Sequence, residues 1–124
     1  MSDPRQKFGK ECEFAALRYL EKNGCRISEQ NYRTPQGEID IIAEQGDTIV
    51  FAEVKARKSE RFGPPKSAVT PEKQRKMSMA ALQYLKDRNI RNRKARFDVI
   101  TLFFPAKENK PHIEWVRNAF ELCL

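Results

Sequence analysis

The sequence predicts an α/β fold in a single domain covering residues 1–124, on three observations. Two segments carry apolar residues at helical spacing. Two neighbouring runs rich in Ile, Val and Phe are joined by a Gly-Asp pair suited to a tight turn. A further strong strand follows the second helical segment. A chain of 124 residues has room for one hydrophobic core and little more.

The first helix is expected near residues 10–23, where Ala16, Leu17 and Leu20 form the apolar stripe and Gly24 stands at the C-terminal stop position. Glu13 lies three and four positions before Ala16 and Leu17, so it belongs to that stripe, an unusual place for a carboxylate. A short extended piece near Arg26–Ser28 and a loop around Thr34-Pro35-Gln36-Gly37 come next. Glu38–Glu44 and Thr48–Ala56 then read as a hairpin turning at Gly46-Asp47. Lys58 to Thr70, with Gly63, Pro64 and Pro65, reads as a loop. Thr70-Pro71-Glu72 has the order of a helix start: a hydroxyl cap, proline in the first turn, and an acid near the positive end of the dipole. Met77, Ala81, Tyr84 and Leu85 make the stripe of this second helix, which ends near Arg88. Phe97–Phe104 is a strand closed by Pro105, His112–Val116 a last strand, and Asn118–Leu122 a short helix.

Charge is distributed unevenly. From Lys55 to Arg96 there are 14 Lys and Arg against 3 acids, a net +11, while the remainder carries −4. Such polarity suits a polyanion, whose counterions are released on binding; a solvated basic surface is the plain alternative. No apolar run approaches the length that spans a bilayer, and the N-terminus lacks the apolar segment of a secretory signal, so a cytoplasmic protein without a membrane partner is expected. Cys12, Cys25 and Cys123 are odd in number and irregularly spaced, which draws neither a disulfide framework nor a zinc motif, even with His112.

The chemistry concentrates on the hairpin. Residues two apart share a strand face, which groups Glu53 with Lys55 and Glu38 with Asp40. With a two-residue turn at Gly46-Asp47, facing residues have numbers summing to 93. Asp40 then opposes Glu53, and Glu38 opposes Lys55, with Cβ atoms about 4.5–5.5 Å apart. Two carboxylates so close repel unless a proton or cation lies between them, and hard divalent ions take oxygen ligands of this kind. Cross-strand salt bridges from Lys55 to Glu38 or Glu53 are the structural alternative.

The strings Gly37-Glu38-Ile39-Asp40-Ile41-Ile42-Ala43 and Val50-Phe51-Ala52-Glu53-Val54-Lys55-Ala56-Arg57 resemble the YraN family of predicted endonucleases. That family is distantly similar to archaeal Holliday junction resolvases within the PD-(D/E)XK group. Further marks run along most of the chain: Glu13 with Ala16, Tyr19 and Leu20; Asn31 with Arg33; Phe62-Gly63; Ala68-Val69 with Lys73; and Arg96-Phe97-Asp98-Val99-Ile100. Cys12 stands where the family usually has glycine, and Ala52 where it has valine.

The resemblance implies a three-layer α/β/α sandwich with a mixed central sheet, restriction-endonuclease-like. It implies Asp40 and Glu53 as ligands of Mg²⁺ or Mn²⁺, and Glu13 and Lys55 beside them in catalysis, with Glu38 next to the metal-binding pair. The expected activity is metal-dependent hydrolysis of phosphodiester bonds in DNA, including branched or structured DNA. The alternative is a nucleic-acid-binding module whose nuclease centre is vestigial or needs a partner. Arg33, Arg57, Lys73 and Lys76 are the candidate nucleic-acid contacts, set against solvated positions on a strand end and a helix face. Resolvase relatives work as dimers, because a four-way junction presents two symmetric strands; for this chain a homodimer is one option and the sequence leaves it open.

Overall fold

The computed structural model describes residues 3–57 and 69–124. Among these, α1 (Pro4–Lys22) leads into three strands, β1 (Arg26–Thr34), β2 (Gly37–Gln45) and β3 (Thr48–Arg57). α2 (Pro71–Asp87) follows, then β4 (Lys94–Phe103) and β5 (His112–Phe120). The strands form one mixed sheet in the order β1-β2-β3-β4-β5. Only β3 and β4 run parallel, and α2 lies in the crossover between them; every other neighbouring pair is antiparallel.

The caps explain where the helices begin. Asp3 accepts a hydrogen bond from the Arg5 amide at 3.0 Å ahead of Pro4, so α1 starts at Pro4, six residues before the expected start near residue 10. Thr70 Oγ1 accepts from the Lys73 amide at 3.2 Å, with Pro71 and Glu72 in the first turn, as their order predicts. Gly24, at φ 91, closes α1 in the left-handed region that glycine enters without strain.

Each helix packs on its own apolar cluster, one on either face of the sheet. Cys12, Ala16, Leu17 and Leu20 of α1 meet Ile41, Ala43, Val50, Ala52, Ile100 and Leu102. Met77, Ala80, Ala81 and Tyr84 of α2 meet Ile39, Ile42, Ile49, Phe51, Phe97 and Val99. Alternate residues of β3 and β4 supply the two clusters, as the period of a strand requires. Among the described residues no helix is long and apolar enough to cross a membrane.

Two expectations change. The extended piece after α1 is a full strand of nine residues, bulged between Ile27 and Glu29. Its polar sequence hides it because it lies at the sheet's edge. The short helix over Asn118–Leu122 is not formed: β5 runs on to Phe120, and no regular element follows. Phe120 pairs with Phe97 and stacks on its ring at 4.8 Å, a contact a helix there would lose. The loop read over Lys58–Thr70 lies largely outside the described residues, as do Phe62, Gly63 and Ala68.

Candidate functional site

The β2–β3 hairpin turns at Gly46-Asp47 with facing residues that sum to 93, from Gln45↔Thr48 to Ile41↔Ala52. The ladder stops there, one pair short of Asp40 and Glu53. Beyond that point the Asp40 carboxylate itself accepts the Val54 amide hydrogen at 2.9 Å. The acid thus replaces a backbone partner at the place where the two strands part.

A second irregularity sits at the same level. Ile39 packs with the α2 cluster, whereas Ile41, two residues on, packs with the α1 cluster. Strict alternation forbids that, so the side-chain alternation of β2 slips by one step at Asp40, while its pairing with β1 keeps the same register on either side. In the β1–β2 register Asn31 is the residue facing Asp40, and it adopts φ 51, a left-handed conformation rare for a non-glycine inside a strand. The slip lets Asp40 reach groups from both faces of the sheet.

From the α1 side comes Glu13. Its carboxyl is raised above the ordinary value, first by burial and then by the charge of Asp40, while a hydrogen bond with Asn31 works the other way. From the α2 side comes Glu53, 8 % exposed against 9 % for Asp40. Its carboxyl is pushed up to about 8, first by burial, then by hydrogen bonding with Asp40 and by Asp40's charge; Lys73 offsets part of the rise. Lys73 Nζ lies 3.4 Å from Glu53 Oε2 as an ion pair, and that oxygen makes no well-formed hydrogen bond among the described residues.

Glu53, Lys55, Val69, Thr70 and Lys73 line a cleft of about 150 Å³ at the end of β3. Lys55 is exposed there, and the ion partner of Glu53 is Lys73 rather than Lys55. Because the ladder ends early, the expected facing pair of Glu38 and Lys55 does not form. Glu38 instead faces Arg33 across β1–β2 and pairs with it at 3.3 Å. A second cleft, of about 420 Å³, opens beside the first between the β1–β2 turn and α2, lined in part by Arg33, Glu38, Lys73 and Lys76. Arg57 stands at the end of β3, its guanidinium lowered from the usual value by burial and raised in part by Glu114 on β5.

The structure therefore gathers Glu13, Asp40, Glu53 and Lys73, sets Lys55 at the rim, and places Arg33, Glu38 and Lys76 in the adjoining cleft. Lys73 as the counterion of Glu53 is not evident from sequence, because α2 reaches β3 only through the crossover. Asn31 stands in the sequence only as a mark of the resemblance, without a role; that asparagine tolerates the left-handed region is the one local signal of its conformation.

A buried carboxylate apart from this site lies on the α1 face. Asp98 is fully buried, and Arg96 Nε donates to both its oxygens at 3.0 and 3.1 Å. Trp115 Nε1 donates at 2.8 Å and the Asn118 amide at 2.9 Å. Every lone-pair direction of Asp98 is engaged, which marks it as a structural tie between β4 and β5.

Comparison with known proteins places this arrangement in a family. A chain from Desulfosudis oleivorans, named UPF0102 protein, is 47 % identical over 124 residues, covering 100 % of this chain and 98 % of the relative. UPF0102 proteins from Syntrophus aciditrophicus and Geobacter metallireducens are 49 % and 47 % identical, over 93 % and 99 % of this chain and 89 % and 99 % of theirs. Among solved structures, Pyrococcus furiosus SfsA in complex with Ca²⁺ aligns with 93 % of this chain at 12 % identity and a TM-score of 0.35. This chain spans 64 % of that protein's length, and the likeness is too slight to carry an argument. The model of the "Uncharacterised protein family UPF0102" matches residues 12–102, a span holding Glu13, the whole hairpin and α2; the chain belongs to that family.

Proposed function

We propose that the chain is a divalent-metal-dependent endonuclease acting on DNA, built as a three-layer α/β/α sandwich of the restriction-endonuclease-like kind. The observation that carries this reading is the buried pair of Asp40 and Glu53. Two carboxylates in contact, one pushed up to about 8 and left with an oxygen lacking a well-formed hydrogen bond, form a seat that gains from a cation. The helices on opposite faces of a mixed sheet support the fold reading, as does the acidic end of a hairpin whose strands part.

The residues fit Mg²⁺ or Mn²⁺. No group of three or more His, Cys, Asp or Glu is arranged around one point among the described residues. An ion that keeps several waters needs only one or two carboxylates, and Asp40 and Glu53 would hold it. When bound, such an ion polarises a phosphodiester and acidifies a coordinated water. Glu13, its carboxyl raised by burial and then by Asp40 and hydrogen-bonded with Asn31, would hold a proton beside the pair of acids. Lys55, exposed at the rim of the Glu53 cleft, would orient the attacking water or stabilise charge developing on the phosphate. Arg33, Arg57, Lys73 and Lys76 offer cations for neighbouring phosphates. A second copy of the chain would let a symmetric, branched DNA be cut on both strands.

The test is a cleavage screen over linear, nicked, flapped and four-way DNA with Mg²⁺ or Mn²⁺, alongside Glu53→Ala and Lys55→Ala. The reading expects metal-dependent cutting that both variants lose while remaining folded by circular dichroism. Cutting retained by either variant refutes the assignment. Salt-sensitive DNA binding without turnover under every condition would instead identify a binding module.

A further inference from the structure

Lys73 occupies an uncommon position: it borders both clefts. On one side its ammonium pairs with Glu53 at 3.4 Å. On the other it lines the cleft that also holds Arg33 and Lys76. Its backbone is fixed by the Thr70 cap at the start of α2, and from that anchor a four-carbon stem can swing between the two sides.

We propose that Lys73 is a stand-in cation, which occupies the cation's place beside Glu53 until a divalent ion arrives. It then turns into the Arg33–Lys76 cleft and completes a seat for a DNA backbone phosphate. The inference rests on the metal-dependent reading of the Asp40–Glu53 pair and adds an order of events to it.

Three observations carry it. First, Glu53 is buried against Asp40, and its ion partner is this lysine from across the crossover, so the lysine supplies the positive charge the acids lack. A divalent ion bound by the same carboxylates takes over that role and repels the ammonium. Second, the place to which Lys73 can turn already carries cations whose own partners are weakly held. Arg33 pairs with Glu38 and Lys76 with Glu72, both at 3.3 Å and both among exposed side chains. Exposed pairs of that kind are worth about 0–1 kcal/mol and give way to a phosphate. Third, the two clefts adjoin at Lys73, so a phosphate held by Arg33, Lys76 and Lys73 would lie next to the phosphate presented to the acids. Metal and DNA binding are then coupled, and by linkage each strengthens the other.

The experiment follows the accessibility of one amine. Intact protein is treated briefly with an acylating reagent, and modification of Lys73 is read by peptide mass spectrometry with Lys76 as the internal reference. Mn²⁺ binding is measured on the same protein by calorimetry. The expected result is slow modification without metal and modification faster by roughly fivefold or more with Mn²⁺. In Glu53→Gln it should be fast under both conditions. Adding a DNA duplex to Lys55→Ala protein with Mn²⁺ should slow modification again. Mn²⁺ binding that leaves the Lys73 rate unchanged or lower overturns this inference alone. A rate that DNA does not slow overturns the phosphate seat. Failure of Mn²⁺ to bind overturns the metal reading and this inference with it.

Discussion

Replacing Glu53 with glutamine keeps the volume of the buried side chain and removes its charge, so it isolates the cost of ionising that position. The native carboxyl sits at about 8 against an ordinary 4.5, because of burial and the adjoining Asp40. Between those pH values the native chain holds a proton that the unfolded chain has released. Stability from this group is complete below about pH 4.5 and is lost as pH rises through about 8. At about 1.4 kcal/mol per pH unit the whole span amounts to roughly 5 kcal/mol. Relaxation around a real site lowers the measurable part to about 2–4 kcal/mol. Glutamine resembles the protonated acid at every pH. Its one loss is the ion pair with Lys73, which the native chain has only above about pH 8, where Glu53 is charged; with the Lys73 side chain 36 % exposed, that pair is worth about 0–1 kcal/mol. Urea unfolding with chelator present, followed by circular dichroism, should therefore place the variant within about 1 kcal/mol of the parent near pH 5. Near pH 9 the variant should be about 2–4 kcal/mol more stable. Adding Mn²⁺ near pH 9 should stabilise the parent and leave the variant unchanged. A variant-minus-parent difference that is the same at both pH values refutes the electrostatic account of Glu53.

Two further substitutions test the frame around the site. Asp98→Ala leaves the Arg96 guanidinium, the Trp115 ring nitrogen and the Asn118 amide without their shared acceptor. It should cost about 3–5 kcal/mol in urea unfolding and shift the emission of Trp115, the single tryptophan. Gly37→Ala would bring a methyl to 2.5 Å from the Lys76 carbonyl oxygen, which is backbone and cannot swing aside. The β1–β2 turn must then lift from α2, at about 1–3 kcal/mol of stability by the same measurement and with weaker DNA binding.

Much of this arrangement is written in local patterns, and the exceptions have physical causes. The hairpin register follows from Gly46-Asp47 and the alternation of Ile and Val, since a tight turn fixes the pairing of everything beyond it. Glu13 is conspicuous because a carboxylate interrupts an apolar stripe. The same rule of alternation fails at Asp40, where β2 slips and the strands part, so facing pairs such as Glu38 and Lys55 are lost. Nothing between Ile39 and Ile41 announces the slip; it coincides with Asn31 in the neighbouring strand adopting φ 51. Lys73 reads as one more cation on a basic helix until the crossover sets it beside Glu53. Residues 118–122 are too few for their pattern of apolar residues to separate helix from strand, and Phe97 on the adjacent strand decides between them.

The order of the sheet bears on how the centre comes together as the chain folds. Asp40 and Glu53 are carried by a hairpin with a two-residue turn, among the quickest pieces of structure to close. Their counterion arrives later in the chain, on a helix that must fold back onto the hairpin from beyond the end of β3. The acids are thus installed by a short-range contact and neutralised by a long-range one. Loop closure grows by only about 0.6 kcal/mol per doubling of length. Insertions between Arg57 and Val69 should therefore slow the arrival of Lys73 more than they weaken the finished protein. The length of that connection sets the timing of the centre and leaves its geometry alone.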